Sequence, residues 1–203
     1  DISDVCGLDI RFDEERGRIN CGEDVSYETE FYVPLSHITP ILLNRYLKYP
    51  EVVYKQHKKI YSKSKGMGNQ VKAYDLIYIP FGLLGIEFIK THVYFSEFQN
   101  SKYDCIIEVL SGNVTVTMQK NKCIRESYEL CTEVEDILII RLGKGERLAI
   151  PTGYFYTFTN TGTIPAILAK IASQDHKEVD YERLRRERGL AFFLISKNAK
   201  VEV

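Results

Sequence analysis

The chain has 203 residues, with 27 Lys and Arg against 28 Asp and Glu, for a formal charge of −1. That length accommodates one domain with a real core, and the near-balance of charge excludes a dedicated nucleic-acid binder, which carries a basic excess. Apolar runs such as "DILIIRL" are broken by charge after a few residues, so no membrane span is expected.

The opening "DISDVCGLDIRFDEERG" carries no basic-then-apolar leader. Five cysteines, at positions 6, 21, 105, 123 and 131, form no CxxC pair and are odd in number. That usage fits reduced thiols in a cytoplasmic protein better than a disulfide framework. One helix is predicted early, in "SHITPILLNRYLKYP". Thr39 serves as N-cap, Pro40 takes the first helical position, and Ile41, Leu42, Tyr46 and Leu47 share a face until Pro50 closes the segment. From Val52 onward, short runs rich in Val, Ile, Thr, Tyr and Phe recur about every ten residues, the pattern of a sandwich or barrel. Strands are expected in "EVVYKQHKKIY", "KAYDLIYIP", "IEFIKTHVYF", "DCIIEVL", "NVTVTMQ", "CIRESYEL", "DILIIRL", "ERLAIP", "FYTFTNT" and "AILAKIAS". "YSKSKGMGNQ" reads as a loop. "NVTVTMQKNKCIRESYEL" reads as a hairpin turning at Lys-Asn-Lys. "DHKEVDYERLRRERG" reads as a charged helix closed by Gly189, followed by strands in "LAFFLIS" and "KVEV" around a turn at Lys197 and Asn198. The expected architecture is an all-β, double-sheet antiparallel barrel with an N-terminal strand and helix added. It divides a single domain into an N-terminal extension (1–51), the barrel (52–174) and a C-terminal helix with strands (175–203).

One stretch carries a motif. In "GERLAIPTGYFYTFTN", Gly145, Pro151, Gly153 and Asn160 stand at the spacing of the second conserved motif of the cupin superfamily, with Tyr156 where that motif has a histidine. Pro restricts φ and Gly tolerates positive φ, so the pattern predicts a hairpin that aims the following side chains inward. Asn160 is placed to bond nearby backbone. Upstream, Gly112 fits the closing glycine of the first cupin motif, which puts Cys105 at the place of its glutamate.

Read along its length, the chain resembles the archaeal cupin-type glucose-6-phosphate isomerases. "GLDIRFDEERGRI", "YPEVVYKQH", "GIEFIKTHVYF", "IPTGYFYTFTNTGTIPAILAKI" and "VDYERLRRERGLAFFLISKNAKVEV" are each similar to a family segment, in order and at similar spacing. The resemblance implies a cupin double-stranded β-helix, a jelly-roll barrel, in a homodimer acting on a sugar phosphate. It also implies a divalent metal (iron, nickel, zinc or manganese) held by a histidine pair, a glutamate and the second-motif histidine. With Thr91 matched to the family's threonine, those four positions fall on Tyr94, Ser96, Cys105 and Tyr156. A one-step shift puts His92 first and Tyr94 second, which supplies a single histidine. Neither set suits a first-row metal, so no cofactor is expected. Glu108 points out of the barrel if Cys105 points in, because side chains alternate along a strand, and Glu97 is read as a solvated loop residue.

The same carry-over puts Tyr54, Thr91 and Tyr181 in a candidate substrate pocket with Tyr94, Ser96, Cys105 and Tyr156. The histidine that precedes the last tyrosine in the family is Val179 here, and His176 lies three residues earlier. Lys90 and Lys170 are the basic residues that the inward strands offer to a phosphate. Two functions follow. One is an isomerase-family protein, metal-free and of altered activity, that binds a sugar phosphate. The other is a non-catalytic, metal-free cupin acting as a ligand-binding or assembly protein.

Overall fold

The computed structural model describes residues 8–13, 18–64, 74–95, 102–122, 133–172 and 188–203. The chain begins with β1 (Ile10–Asp13) and β2 (Arg18–Cys21), which pair with each other, then β3 (Val25–Ser26) and β4 (Thr29–Pro34). A single helical turn, α1 (Leu35–Ile38), runs into a 3₁₀ turn (Thr39–Ile41). The barrel strands follow: β5 (Val52–Ser62), β6 (Tyr74–Ile79), β7 (Leu83–Leu84), β8 (Glu87–Phe88), β9 (Tyr94–Phe95), β10 (Tyr103–Ser111) and β11 (Asn113–Asn121). After them come β12 (Val134–Gly143), β13 (Arg147–Pro151), β14 (Phe155–Thr159), β15 (Ala166–Ala172), β16 (Ile195–Lys197) and β17 (Lys200–Glu202).

Among the described residues, a seven-stranded sheet runs β13-β10-β15-β6-β5-β3, with β4 also paired to β5. A four-stranded sheet runs β12-β11-β14-β9, and a small one runs β17-β16-β8-β7. The pairings are antiparallel, so the expected all-β jelly-roll is the fold. The main core lies between the two large sheets. Val53, Tyr54, Ile77, Ile79, Ile107, Val109 and Leu168 face Val114, Val116, Met118, Tyr156 and Phe158. The larger sheet is also covered on its outer face, where Ile10 and Val25 pack with Ile60, Leu76, Leu110 and Ile167. Burial on both faces goes with the continuously apolar "LIYI" of β6, whereas β11, also buried on both faces, carries Thr115 and Thr117 on its outer one. The turn from β10 to β11 needs Gly112: its φ is +73°, and a Cβ there would stand 2.6 Å from the Pro165 carbonyl oxygen.

Several expectations are corrected. The helix read over 39–50 is not formed. Thr39 does not cap it; its hydroxyl donates back to the Leu35 carbonyl at 2.8 Å. Leu42 is extended, the Leu43 N–H donates to Glu87 Oε2, and Tyr46 is 91% exposed. The apolar Ile-Leu pair at 41 and 42 is drawn into the core without continuing the helical turn, so burial overrides the propensity.

"IEFIKTHVYF" is two short strands, because the chain leaves the small sheet at Phe88 and joins the four-stranded one at Tyr94. The Lys-Asn-Lys turn is absent. Asn121 is still in the ladder, opposite Val134, and the partner of β11 is β12. "CIRESYEL" lies outside the described residues, as do nearly all of the charged segment 175–189 and residues 65–70 of the predicted loop. "LAFFLIS" is strand only at its end. Its first half crosses the outer face of the four-stranded sheet, where the Ala191 N–H donates to Gln119 Oε1 at 2.7 Å.

Candidate functional site in the barrel interior

The motif around Pro151 is a corner and not a hairpin. β13 pairs with β10 and β14 pairs with β11 and β9, so the turn carries the chain from one sheet to the other. Gly153 makes that corner with φ at +86°. Asn160 locks the far end of β14. Its Nδ2 donates to the carbonyls of Ile79, Pro80 and Ile164 at 2.9–3.1 Å, and its Oδ1 accepts from the Gly162 N–H at 2.9 Å. Between these two anchors, Tyr156 and Phe158 point into the interior and Thr157 points out.

Tyr156 is fully buried and sits at the centre of a polar cluster. Its hydroxyl donates to Asp104 Oδ2 at 2.6 Å and lies 3.3 Å from Cys105 Sγ. Its ring stacks on Tyr94, with centroids 5.2 Å apart and planes 16° apart. The Lys170 ammonium, from β15, lies 4.0 Å from the Tyr94 ring centroid and 5.8 Å from that of Tyr156. His92 contacts Tyr94 with ring centroids 4.1 Å apart, and its Nδ1 is hydrogen-bonded to the Tyr54 hydroxyl. Of the residues picked from sequence, Tyr54, His92, Tyr94, Cys105 and Tyr156 therefore come together.

Thr91 does not join them. It is fully buried, and its hydroxyl accepts from the Phe158 N–H at 3.1 Å and meets the outward Thr157 at 3.3 Å. Ser96 and Tyr181 lie outside the described residues, with Glu97, His176 and Val179. Glu108 points out, bonded to Arg147 at 2.8 Å. Lys90, unlike Lys170, is not in the interior. Its Nζ bonds Glu87 at 2.6 Å and the Ile41 carbonyl at 3.0 Å, beside a small recess that also has Thr117, Thr157 and Phe192 in its wall.

Nothing in the sequence marks Asp104 as a site residue. Strict alternation puts it on the solvent face once Cys105 is inward. A β-bulge changes that. Tyr103 pairs with Pro151 and Cys105 with Ile150, so Asp104 is the extra residue. Both Asp104 and Cys105 are then buried, at 1% and 3% exposure. No sequence signal marks the bulge.

Burial decides the charges here. It pushes the Cys105 thiol up to about 11, against the pull of the Lys170 cation and the Tyr156 hydroxyl. It raises the Tyr156 phenol well above its ordinary value, and Cys105 and Asp104 add to the rise. It lowers the Lys170 ammonium, which Cys105, Asp104 and Asp75 oppose.

A divalent metal ion does not fit this donor set. The phenol at position 156 and the thiol at position 105 hold their protons at neutral pH, the Tyr156 hydroxyl is spent on Asp104, and the Lys170 side chain already stands over the rings. Among the described residues, no group of three or more His, Cys, Asp or Glu side chains is placed to hold a metal. No helix among them is long and apolar enough to cross a membrane.

Residues 42–203 match the family model described as glucose-6-phosphate isomerase (GPI). No protein of curated function matches the chain by sequence. Similar solved structures include the CENP-C cupin domain of Drosophila melanogaster, at 14% identity over 63% of this chain and 73% of that one, with a TM-score of 0.38. The same fly protein bound to CAL1 aligns at 15% identity over 65% and 85%, with a TM-score of 0.39. An oxalate decarboxylase of Bacillus subtilis aligns at 12% identity over 64% of this chain and 28% of that one, with a TM-score of 0.42.

Proposed function

The chain belongs to the glucose-6-phosphate isomerase family, within the cupin superfamily, and on that premise we propose that it is a metal-free member in which sugar isomerisation is lost and the barrel serves as a non-catalytic ligand-binding or assembly protein. Within this reading the metal positions of the archaeal cupin-type branch are substituted by Tyr94, Ser96, Cys105 and Tyr156. The protein works as a cytoplasmic homodimer, and a sugar phosphate is the ligand class that the family points to.

The observation that carries the reading is the closed hydrogen bond from Tyr156 to Asp104, 2.6 Å long and buried. Aldose–ketose isomerisation needs a base that moves a proton and a group that polarises the carbonyl oxygen. At the base position, a thiol pushed up to about 11 is ionised in only about one molecule in ten thousand at pH 7. The Asp104 oxygen that would serve as a base already accepts a proton donor of the protein. Tyr156 would polarise an oxygen only by giving up that bond. Tyr54 is likewise engaged with His92.

The test is direct. The protein is purified without chelators, its metal content measured, and conversion of fructose 6-phosphate followed with and without added iron, nickel, zinc and manganese. Substoichiometric metal and no turnover are expected. Turnover under any of these conditions would sink the proposal. A rise in melting temperature with fructose 6-phosphate would favour the ligand-binding role, and its absence the assembly role.

A further inference from the structure

A lysine buried among rings is costly unless its charge is matched. Lys170 is 1% exposed, yet it projects into the interior with Leu168 and Ala166 of the same strand face. Its Nζ stands 4.0 Å from the Tyr94 ring centroid, and that ring is stacked on Tyr156. Asp104 reaches Tyr156 from the hydroxyl end. One cation, two ring faces and one carboxylate are thus joined through a single tyrosine. Ring faces attract a desolvated ammonium, and Asp104 and Asp75 both act on it as negative charges.

We propose that the Lys170 ammonium takes the place of a metal ion as the fixed cation of the barrel interior, with Tyr94 and Tyr156 as its ring-face partners and Asp104 as its counter-charge. This rests on the metal-free reading above. It gives the loss of the metal a physical counterpart: the interior keeps a central positive charge, now covalently tethered, and a second cation entering beside it is repelled.

A double-mutant cycle tests it. Lys170→Met keeps the length of the stem and removes the charge. Asp104→Asn keeps the shape and removes the counter-charge. Each is expected to lower the thermal midpoint at pH 7, and the double variant is expected to melt at least about 3 °C above the additive value for a chain of this size. Strictly additive losses would overturn the proposal, because a lysine that serves only packing has no coupling to the carboxylate. Where a variant fails to fold, wild-type protein decides by equilibrium dialysis against zinc and nickel. Uptake below a tenth of an equivalent supports the proposal, and one equivalent bound with Lys170 in place overturns it. The two readings separate cleanly. Additive losses in an inactive, metal-free protein would remove the role of Lys170 alone, and metal-free turnover would remove the non-catalytic reading while leaving the coupling intact.

Discussion

The Tyr156 hydroxyl donates to Asp104 Oδ2 across 2.6 Å, joining the four-stranded sheet to the larger one inside the barrel. Hydrogen bonds to a charged partner contribute about 1.5–3 kcal/mol, and a buried acceptor left without its donor loses at least that. Tyr156→Phe keeps the ring and its stacking on Tyr94. We expect it to lower the free energy of unfolding in urea by about 2 kcal/mol with an unchanged m-value. A loss under about 0.5 kcal/mol would show that the bond carries little of the interior's stability.

Cys105 is expected to be inert in the folded protein. Its thiol, held up at about 11 first by burial, should escape alkylation by iodoacetamide at pH 8, and peptide mapping should find it labelled only after denaturation. The folded state holds this proton more tightly than the unfolded chain, whose thiol titrates near 9.0. The associated stability is therefore complete below about pH 9 and is lost as pH rises through about 11, by up to about 3 kcal/mol. Cys105→Ala should flatten that alkaline limb.

His57 should set part of the acid limb. It is 2% exposed, burial lowers its pKa from the ordinary 6.5, and Glu30, 3.4 Å from Nε2, opposes this only in part. The unfolded chain takes up the proton first as pH falls. The stability that depends on neutral His57 is present above pH 6.5 and is lost as pH falls through the lower folded value. Wild-type protein should therefore lose more of its melting temperature between pH 7 and pH 5 than His57→Gln. Equal losses would place the acid sensitivity elsewhere.

Asn160 should be intolerant in a way that separates chemistry from size. Removing its amide in Asn160→Ala strips donors from the Ile79, Pro80 and Ile164 carbonyls and an acceptor from Gly162. A cost of about 3 kcal/mol is expected. Asn160→Asp preserves the size and the acceptor but turns an oxygen toward those carbonyls, so its cost should be at least as large. If Asp were tolerated and Ala were not, volume would be the important property.

Much of the scaffold was legible because period-two alternation in a buried strand has one solution. Once Cys105 faces inward, Ile107 and Val109 must follow, and Glu108 must face out, as it does beside Arg147. Gly112, Gly153 and Asn160 were equally readable, since each answers a backbone need that few residues meet. The helix expected at 39–50 does not form, because Ile41 and Leu42 fit a helical face and a core-facing extended segment alike. The partner of β11 differs from the expected one because a polar tripeptide at 120–122 resembles a turn, whereas the structure keeps pairing through Asn121. The chemistry of the interior was the least legible part. Lys170 stands out in the sequence as a basic residue, but its surroundings depend on rings contributed by β9 and β14, far away in sequence. Asp104 depended on a bulge that no residue pattern announces.

That bulge has a further consequence. Asp104 is inside only because β10 has one residue more than β13 at that point. The acid is therefore inside by virtue of strand length, without taking a regular inward position of the strand. Shortening the strand by one residue at Tyr103 would turn the carboxylate to solvent and take one negative charge away from Lys170, with every interior side chain from Cys105 onward unchanged. In a lineage of such barrels, insertions and deletions in this one strand are as able as substitutions to change what the interior holds.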